Sequence, residues 1–280
     1  MVVILDLLVQ LAQMTLVIAL APLLTGVVRK AKARLTQHRG ASVFQPYRDL
    51  ARLLRKEVVI AHNASWLFRV APYVIFATTW VAKVGTSFGG IGSSREMMIA
   101  SLAEPAMLMI VFTLALVAGS TQLSTVAAYM LSPQVGLRVS LGLGLVALII
   151  VGIAENARIP VDNPTTHLEL TMVHEAMVLE YSGRHLAMIE IAAALKLLLY
   201  ISLIACVFMP WGLAPEGRHL GAYAAGAAAY VLKLGVAGFA LAFFETSIAK
   251  MRVFRVPEFL GAALMLGLLA TLLLFVSRSF

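Results

Sequence analysis

At 280 residues, 61% of them hydrophobic and 13% charged, with a mean hydropathy of +0.91, the chain is too apolar for a water-borne globular domain and reads as an integral membrane protein. Its formal charge of +8 would suit nucleic acid, but the basic residues gather in one loop beside an apolar run, where membrane topology accounts for them. The single cysteine, Cys206, excludes an intrachain disulfide and any cysteine-ligated cluster held by this chain alone.

Apolar runs long enough to cross a hydrocarbon core of about 30 Å, which takes roughly 20 helical residues, lie at 3–28, 97–119, 135–154, 186–209, 220–245 and 258–277. They lack the two-residue alternation of barrel strands, and lipid leaves no water to satisfy backbone groups, so helices are expected. No cleavage site of signal-peptide type precedes the first run, which is therefore expected to stay as a helix. The fold class is all-α, a polytopic helical bundle forming one membrane domain over 1–280. Between the first two long runs, residues 29–65 form a basic loop, and within it "YRDLARLLRKE" has the leucine spacing of an amphipathic helix suited to a membrane surface or a partner groove.

Ten basic residues from Arg29 to Arg69 place that loop on the cytoplasmic side and the N-terminus outside. The next apolar stretch, Trp66 to Ala82, carries Arg69 and Pro72 and is barely long enough to span; Lys83 follows at once. If it is the only helix before residue 97, the loops bearing Lys83 and Arg95, Arg158 and Arg184, and Lys250, Arg252 and Arg255 all fall outside, against the positive-inside bias. One further helix near Lys83 reverses them all. The expectation is about eight membrane helices in the native protein, with about 30 or more residues missing around Ala82 and Lys83; the alternative is a genuine seven-span chain with a weak charge bias. The glycine-rich "GTSFGGIGSSRE" after the seam lacks the lysine-threonine ending of a phosphate loop and is expected to be a flexible loop.

Titratable groups collect in two places. Glu104 sits inside the run 97–119, with Pro105 after it to loosen the local helical hydrogen bonding. The segment 155–185, "ENARIPVDNPTTHLELTMVHEAMVLEYSG" and the residues after it, holds Glu155, Asp162, Glu169, Glu175 and Glu180. Asn163 and Pro164 suit a helix start there. On such a helix Glu169 and Glu180 share a face about 16 Å apart, with His167 and His174 on a nearly opposite one. Carboxyl groups taken out of water can exchange protons near neutral pH, so a proton relay is the chemistry these acids suit, with waters or Glu175, Glu190 and Glu104 bridging the gap; the alternative is a solvated cytoplasmic loop whose acids simply face water. "HEAMV" lacks the second histidine of a zinc helix, and no metal site is expected. Lys196, Lys233 and Glu245 are further charges within or near spans, suited to snorkelling or to ion pairs.

The stretches "HRGASVFQPYRDLARLLRKE", "SSREMMIASLAEP" and "ENARIPVDNPTTHLELTMVHEAMVLEYSG" together resemble a known family: the membrane subunit called subunit 1 or H of respiratory complex I, with its relatives in energy-converting [NiFe]-hydrogenases. The "DNP" start and the "THLELTMVHEAM" run are most similar to the hydrogenase branch, of the formate hydrogenlyase and hydrogenase-4 type. Complex I subunits are typically shorter and more acidic at this place, and Thr165 and Thr166 stand here without acids. The resemblance implies a further helix at the Lys83 seam, in agreement with the charge count. It also implies a subunit of a prokaryotic cytoplasmic membrane that anchors a peripheral electron-transfer arm and links redox chemistry to proton or sodium movement.

By the same resemblance Glu104 corresponds to an intramembrane glutamate of the family, and Glu169 and Glu180 to acids of its proton channel. Arg39, Gln45, Pro46, Arg48, Lys56, Glu57 and Arg158 are matched to surfaces facing the arm. The implied partners are an antiporter-like membrane subunit and the hydrogenase large and small subunits, which would carry the NiFe centre and iron-sulfur clusters; no cofactor and no nucleic acid is expected on this chain. The alternative within the family is the quinone-binding subunit of a respiratory NADH dehydrogenase. A stand-alone transporter is the third reading, and no internal repeat supports it.

Overall fold

The computed structural model describes residues 2–58, 72–73, 87–132, 139–158, 178, 181–212, 220–248 and 256–279. These residues form eight helices and no strand: α1 Val2–Leu35, α2 Gln45–Arg55, α3 Ser87–Ala118, α4 Leu123–Met130, α5 Val139–Glu155, α6 Gly183–Phe208, α7 Leu220–Ser247 and α8 Val256–Ser279. Five stretches are long and apolar enough to cross a membrane: Ala12–Leu35, Met97–Ala118, Gly183–Phe208, Ala224–Ser247 and Val256–Ser277. The chain is a multi-pass helical membrane protein. The expected span at 135–154 appears as α5, whose 17 residues reach about 26 Å, a little under the hydrocarbon thickness. Apart from residues 72–73, the stretch from Trp66 to Ala82 lies outside the described residues.

One expectation is overturned. The glycine-rich run after the seam is not a loop from Ser87 onward: it is helical and continuous with the apolar run, making α3 32 residues long. Glycine costs about 1 kcal/mol relative to alanine inside a helix in water. A backbone that runs on into lipid has no solvent to bond with, so the helix is the state that satisfies it, and glycine is common in membrane helices for that reason.

The helices divide between two compact units, with α3, α6 and α7 each contributing a part to both. In the first unit, formed by Met1–Ser93, Glu175–Leu199 and Gly235–Ile248, the chain doubles back after α1. α1 ends in a reciprocal cap: His38 donates its backbone N–H to Ala33 O (2.7 Å) and Gln37 to Arg34 O (3.1 Å), with Gln37 at φ 61°. The loop then returns along α1, so that the Val43 carbonyl rests on Gly26 and the Tyr47 hydroxyl donates to the Ala19 carbonyl. Any side chain at position 26 would collide with that carbonyl, which is why a small residue stands there. α7 approaches α1 in the same way, a Cβ on Gly238 falling 3.1 Å from Leu24 Cδ1.

The second unit comprises Ser94–His174, Tyr200–Leu234 and Ala249–Phe280. Here α5 packs along α8, and α3 meets α8 through a buried hydroxyl pair, Thr113 Oγ1 and Thr271 Oγ1 at 2.8 Å. Each hydroxyl also donates to a carbonyl of its own helix, Met109 O at 2.8 Å and Gly267 O at 2.9 Å in turn. Ala103, Ala106, Ala147, Ala263 and Ala270 have no exposed surface, so the close contacts are made by small residues, as packing without a hydrophobic driving force requires.

Candidate functional site

α2 is the amphipathic helix expected in the basic loop. Pro46 enters its first turn and is buried, where a missing N–H leaves no bond unmade, and Gln45 Nε2 donates to Asp49 Oδ1 at 2.9 Å. Gln45 and Pro46 therefore shape the helix, while Arg48, Arg52 and Arg55 point outward at helical spacing and Arg39 is also exposed. Among the described residues the ion pair on α2's own surface is loose, Arg52 Nη1 to Asp49 Oδ1 at 4.0 Å, so the stripe keeps a positive field. Burial raises the Tyr47 phenol above its ordinary pKa, against a smaller lowering by a backbone hydrogen bond at Leu23, and it remains a protonated donor to α1.

Beyond α2 the loop meets the end of the acidic segment. Lys56 and Glu57 expose their side chains, but their carbonyls face Gly183, the last residue of the "EYSG" motif. Gly183 has φ 55°, and a Cβ there would lie 2.6 Å from Glu57 O and 2.9 Å from Lys56 O. Two stretches more than 120 residues apart are thus fitted backbone to backbone. Tyr181, 7% exposed, anchors the same junction by packing with Ile189, Val178 and Leu186. His185, also buried, meets the Tyr73 ring edge-on at 5.5 Å. Tyr181 and Tyr73 were not picked out from the sequence, where an isolated tyrosine carries no signal of its partner.

Of the acids matched to proton transfer, Glu104, Glu155 and Glu190 are described; Asp162, Glu169, Glu175 and Glu180 lie outside the described residues. Glu155 closes α5 and is half-buried, and the chain leaves it through another reciprocal cap: Arg158 N–H donates to Ile153 O (2.9 Å) and Ala157 N–H to Ala154 O (3.1 Å), with Ala157 at φ 51°. Arg158 follows, half-buried. Glu190 and Lys196 are half-buried on α6. Glu104 is exposed on α3, on a face shared with Met97, Met98, Ser101, Leu108 and Phe112. An ionised carboxyl turned to lipid near the bilayer centre costs about 3 kcal/mol or more, so its surroundings in the membrane decide its chemistry.

Two of the intramembrane charges are structural. Glu245 Oε2 and Lys32 Nζ pair at 3.0 Å, the carboxylate side chain only 7% exposed, tying the end of α7 to the end of α1. Lys233 is buried, donates to the carbonyls of Met209 and Trp211, and lies 4.7 Å from the Trp211 ring centroid. It thereby satisfies acceptors that α6 leaves open just past its C-terminus at Phe208. Lys233→Met is expected to destabilise the fold by about 1–3 kcal/mol, because both carbonyls lose their donor, while Lys233→Arg retains most of it. Thermal scanning of the purified protein in detergent checks this, and equal midpoints for wild type and Lys233→Met would show the cap to be idle. Among the described residues no group of three or more histidine, cysteine or acidic side chains is arranged to hold a metal ion.

Comparison with known proteins places these features. A family model described as NADH dehydrogenase matches residues 7–89 and 82–276. The chain is 29% identical to formate hydrogenlyase subunit 4 of Escherichia coli (strain K12), over 93% of this chain and 96% of that one. It is 28% identical to hydrogenase-4 component C of the same organism, over 74% and 76%. The fold is similar to a chain of the membrane-bound sulfane sulfur reductase, an archaeal respiratory membrane complex, with a TM-score of 0.74 at 14% identity, covering 94% of this chain and 97% of that one. The first alignment runs over 299 positions, of which 93% of 280 residues fills about 260, so about 39 positions of the relative face no residue here. The second runs over 248 positions, of which 74% of 280 fills about 207, leaving about 41.

Proposed function

Since this chain belongs to the NADH dehydrogenase family, we propose that it is the membrane subunit of a formate hydrogenlyase-like energy-converting hydrogenase. In this role it anchors a peripheral electron-transfer arm and couples redox chemistry to proton or sodium movement in neighbouring antiporter-like subunits. The observation that carries the reading is similarity to formate hydrogenlyase subunit 4 along nearly the whole of both chains. The geometry adds a route for coupling: the exposed arginines of α2 offer a docking face, and the carbonyls of Lys56 and Glu57 press on Gly183, where the acidic segment ends.

In this reading the basic loop is cytoplasmic, the N-terminus is outside, and the membrane is the prokaryotic cytoplasmic one. The NiFe centre and iron-sulfur clusters belong to the hydrogenase large and small subunits. This chain contributes docking and proton-handling side chains, among them Arg39, Arg48, Lys56, Glu57 and Arg158 on one side and Glu104, Glu155, Asp162, Glu169, Glu175, Glu180 and Glu190 on the other. The description of the matching family favours a second reading, a quinone-binding subunit of a respiratory dehydrogenase.

Purifying the native assembly in a mild detergent through a tag on this chain separates the two. Stoichiometric nickel with hydrogenase-like partners is the expected outcome. Flavin and bound quinone without nickel would move the chain to the respiratory reading.

A further inference from the structure

We propose that the arginine stripe of α2, formed by Arg48, Arg52 and Arg55, holds the phosphate headgroups of anionic phospholipids in the leaflet on the basic loop's side. The inference does not depend on which redox enzyme the chain serves.

α1 serves as a ruler for depth. Its 34 residues reach about 51 Å at 1.5 Å per residue, whereas the hydrocarbon core is about 30 Å thick, so about 21 Å of the helix stands outside it. The end that emerges is the basic one, with Arg29, Lys30, Lys32 and Arg34. Counted from Val2, a crossing of about 20 residues leaves the hydrocarbon near Pro22. Side-chain exposure puts the edge at the same level: Met14, Leu16 and Ile18 are open large apolar side chains, and after them none of α1's is exposed until Leu35 at its tip.

The loop comes down to that edge. Gly40 lies against Ala33, the Val43 carbonyl against Gly26, and the Tyr47 hydroxyl donates to the Ala19 carbonyl. From residue 33 of α1 to residue 19 that descent measures about 21 Å, the same length by which α1 projects. α2 therefore begins at the boundary of the hydrocarbon and not in the water above it.

What α2 exposes there suits the boundary. Arg48, Arg52 and Arg55, at steps of four and three residues, share one side of the helix and are all exposed. Phe44, just before the helix, is 60% exposed and Leu54 48%. A bare ring and leucine beside guanidinium groups mark a helix lying in an interface, with apolar groups among acyl chains and cations at phosphate depth. Against the three cations α2 sets one acid, Asp49, which accepts from Gln45 Nε2 at 2.9 Å and stays 4.0 Å from Arg52. An anionic headgroup supplies the charge that is lacking, and guanidinium groups bind phosphate oxygens in pairs. Each guanidinium has five N–H donors, so a phosphate on its membrane side leaves others for an arm docked on its water side.

The test uses the native assembly, purified in detergent, stripped of lipid and titrated with phosphatidylglycerol, phosphatidylcholine or inorganic phosphate, with binding read by native mass spectrometry and by the thermal midpoint. Phosphatidylglycerol alone is expected to bind and raise the midpoint. Arg52→Gln with Arg55→Gln should weaken that binding at least tenfold, and Arg34→Gln should leave it unchanged, because Arg34 is exposed about 22 Å above Ala19 and out of headgroup reach. In the unsubstituted assembly, a phosphatidylglycerol carrying a photoactivatable headgroup should cross-link to residues 44–55 and not to 29–35, which decides the matter if the double variant does not accumulate. Equal binding by the double variant, an equal response to phosphatidylcholine or to inorganic phosphate, an equal loss in Arg34→Gln, or no cross-link within 44–55 would each overturn the proposal.

Discussion

Gly183→Ala is expected to destabilise the junction between the basic loop and α6 by about 2–5 kcal/mol and to deplete the assembled protein from membranes. Two costs add. A side chain at φ 55° pays about 1–2 kcal/mol for the left-handed backbone. The new Cβ would also sit 2.6 Å and 2.9 Å from the carbonyl oxygens of Glu57 and Lys56, and because these are backbone atoms, relief requires moving the loop, at about 1–3 kcal/mol by analogy with overpacked cores. Gly119→Ala supplies the control: Gly119 has φ 68° but nothing lies within 4 Å of its would-be Cβ, so only the backbone cost applies. The amount of assembly recovered through a tag, and its thermal midpoint, should fall by clearly more for Gly183→Ala, by roughly 4 °C or more if a few kcal/mol are lost. Equal behaviour of the two variants would falsify the fitted junction.

Much of this fold is written in runs of apolar residues. The helices α1, α3, α6, α7 and α8 follow from length and hydropathy because lipid leaves the backbone no other way to satisfy its hydrogen bonds. α2 was legible for a related reason, since its leucines and arginines separate onto opposite faces. What stayed hidden was set by contacts between distant stretches. Nothing near Gly26 in the sequence announces that Val43 will rest on it, and nothing near Gly183 names Lys56 and Glu57. The start of α3 was misplaced because glycine was weighed by its cost in water, while the chain was already committed to lipid. Among the charges, Lys233 and Glu245 could be narrowed to snorkelling or pairing, but only geometry shows that one caps α6 and the other holds Lys32. The candidate relay was legible as a set of acids and not as a path, because a path is a matter of distances.

Replacement of Glu104 gives the second large effect. In vesicles that hold the assembled complex, Glu104→Gln is expected to lower proton movement coupled to hydrogen evolution at least tenfold, equivalent to about 1.4 kcal/mol or more on the rate-limiting transfer. Glutamine keeps the size and hydrogen-bonding shape of glutamate but cannot take up and release a proton at neutral pH, so packing survives and the transfer step does not. Glu180→Gln is expected to act the same way for the same reason. Glu245→Gln separates transfer from stability: it breaks the pair with Lys32, so it should lower the thermal midpoint while leaving coupling per assembled complex unchanged. Proton uptake by inverted vesicles during hydrogen evolution, normalised to the amount of assembly, reads the three variants against the unsubstituted protein. Undiminished coupling in Glu104→Gln would remove Glu104 from the relay and leave it, like Glu245, a structural charge.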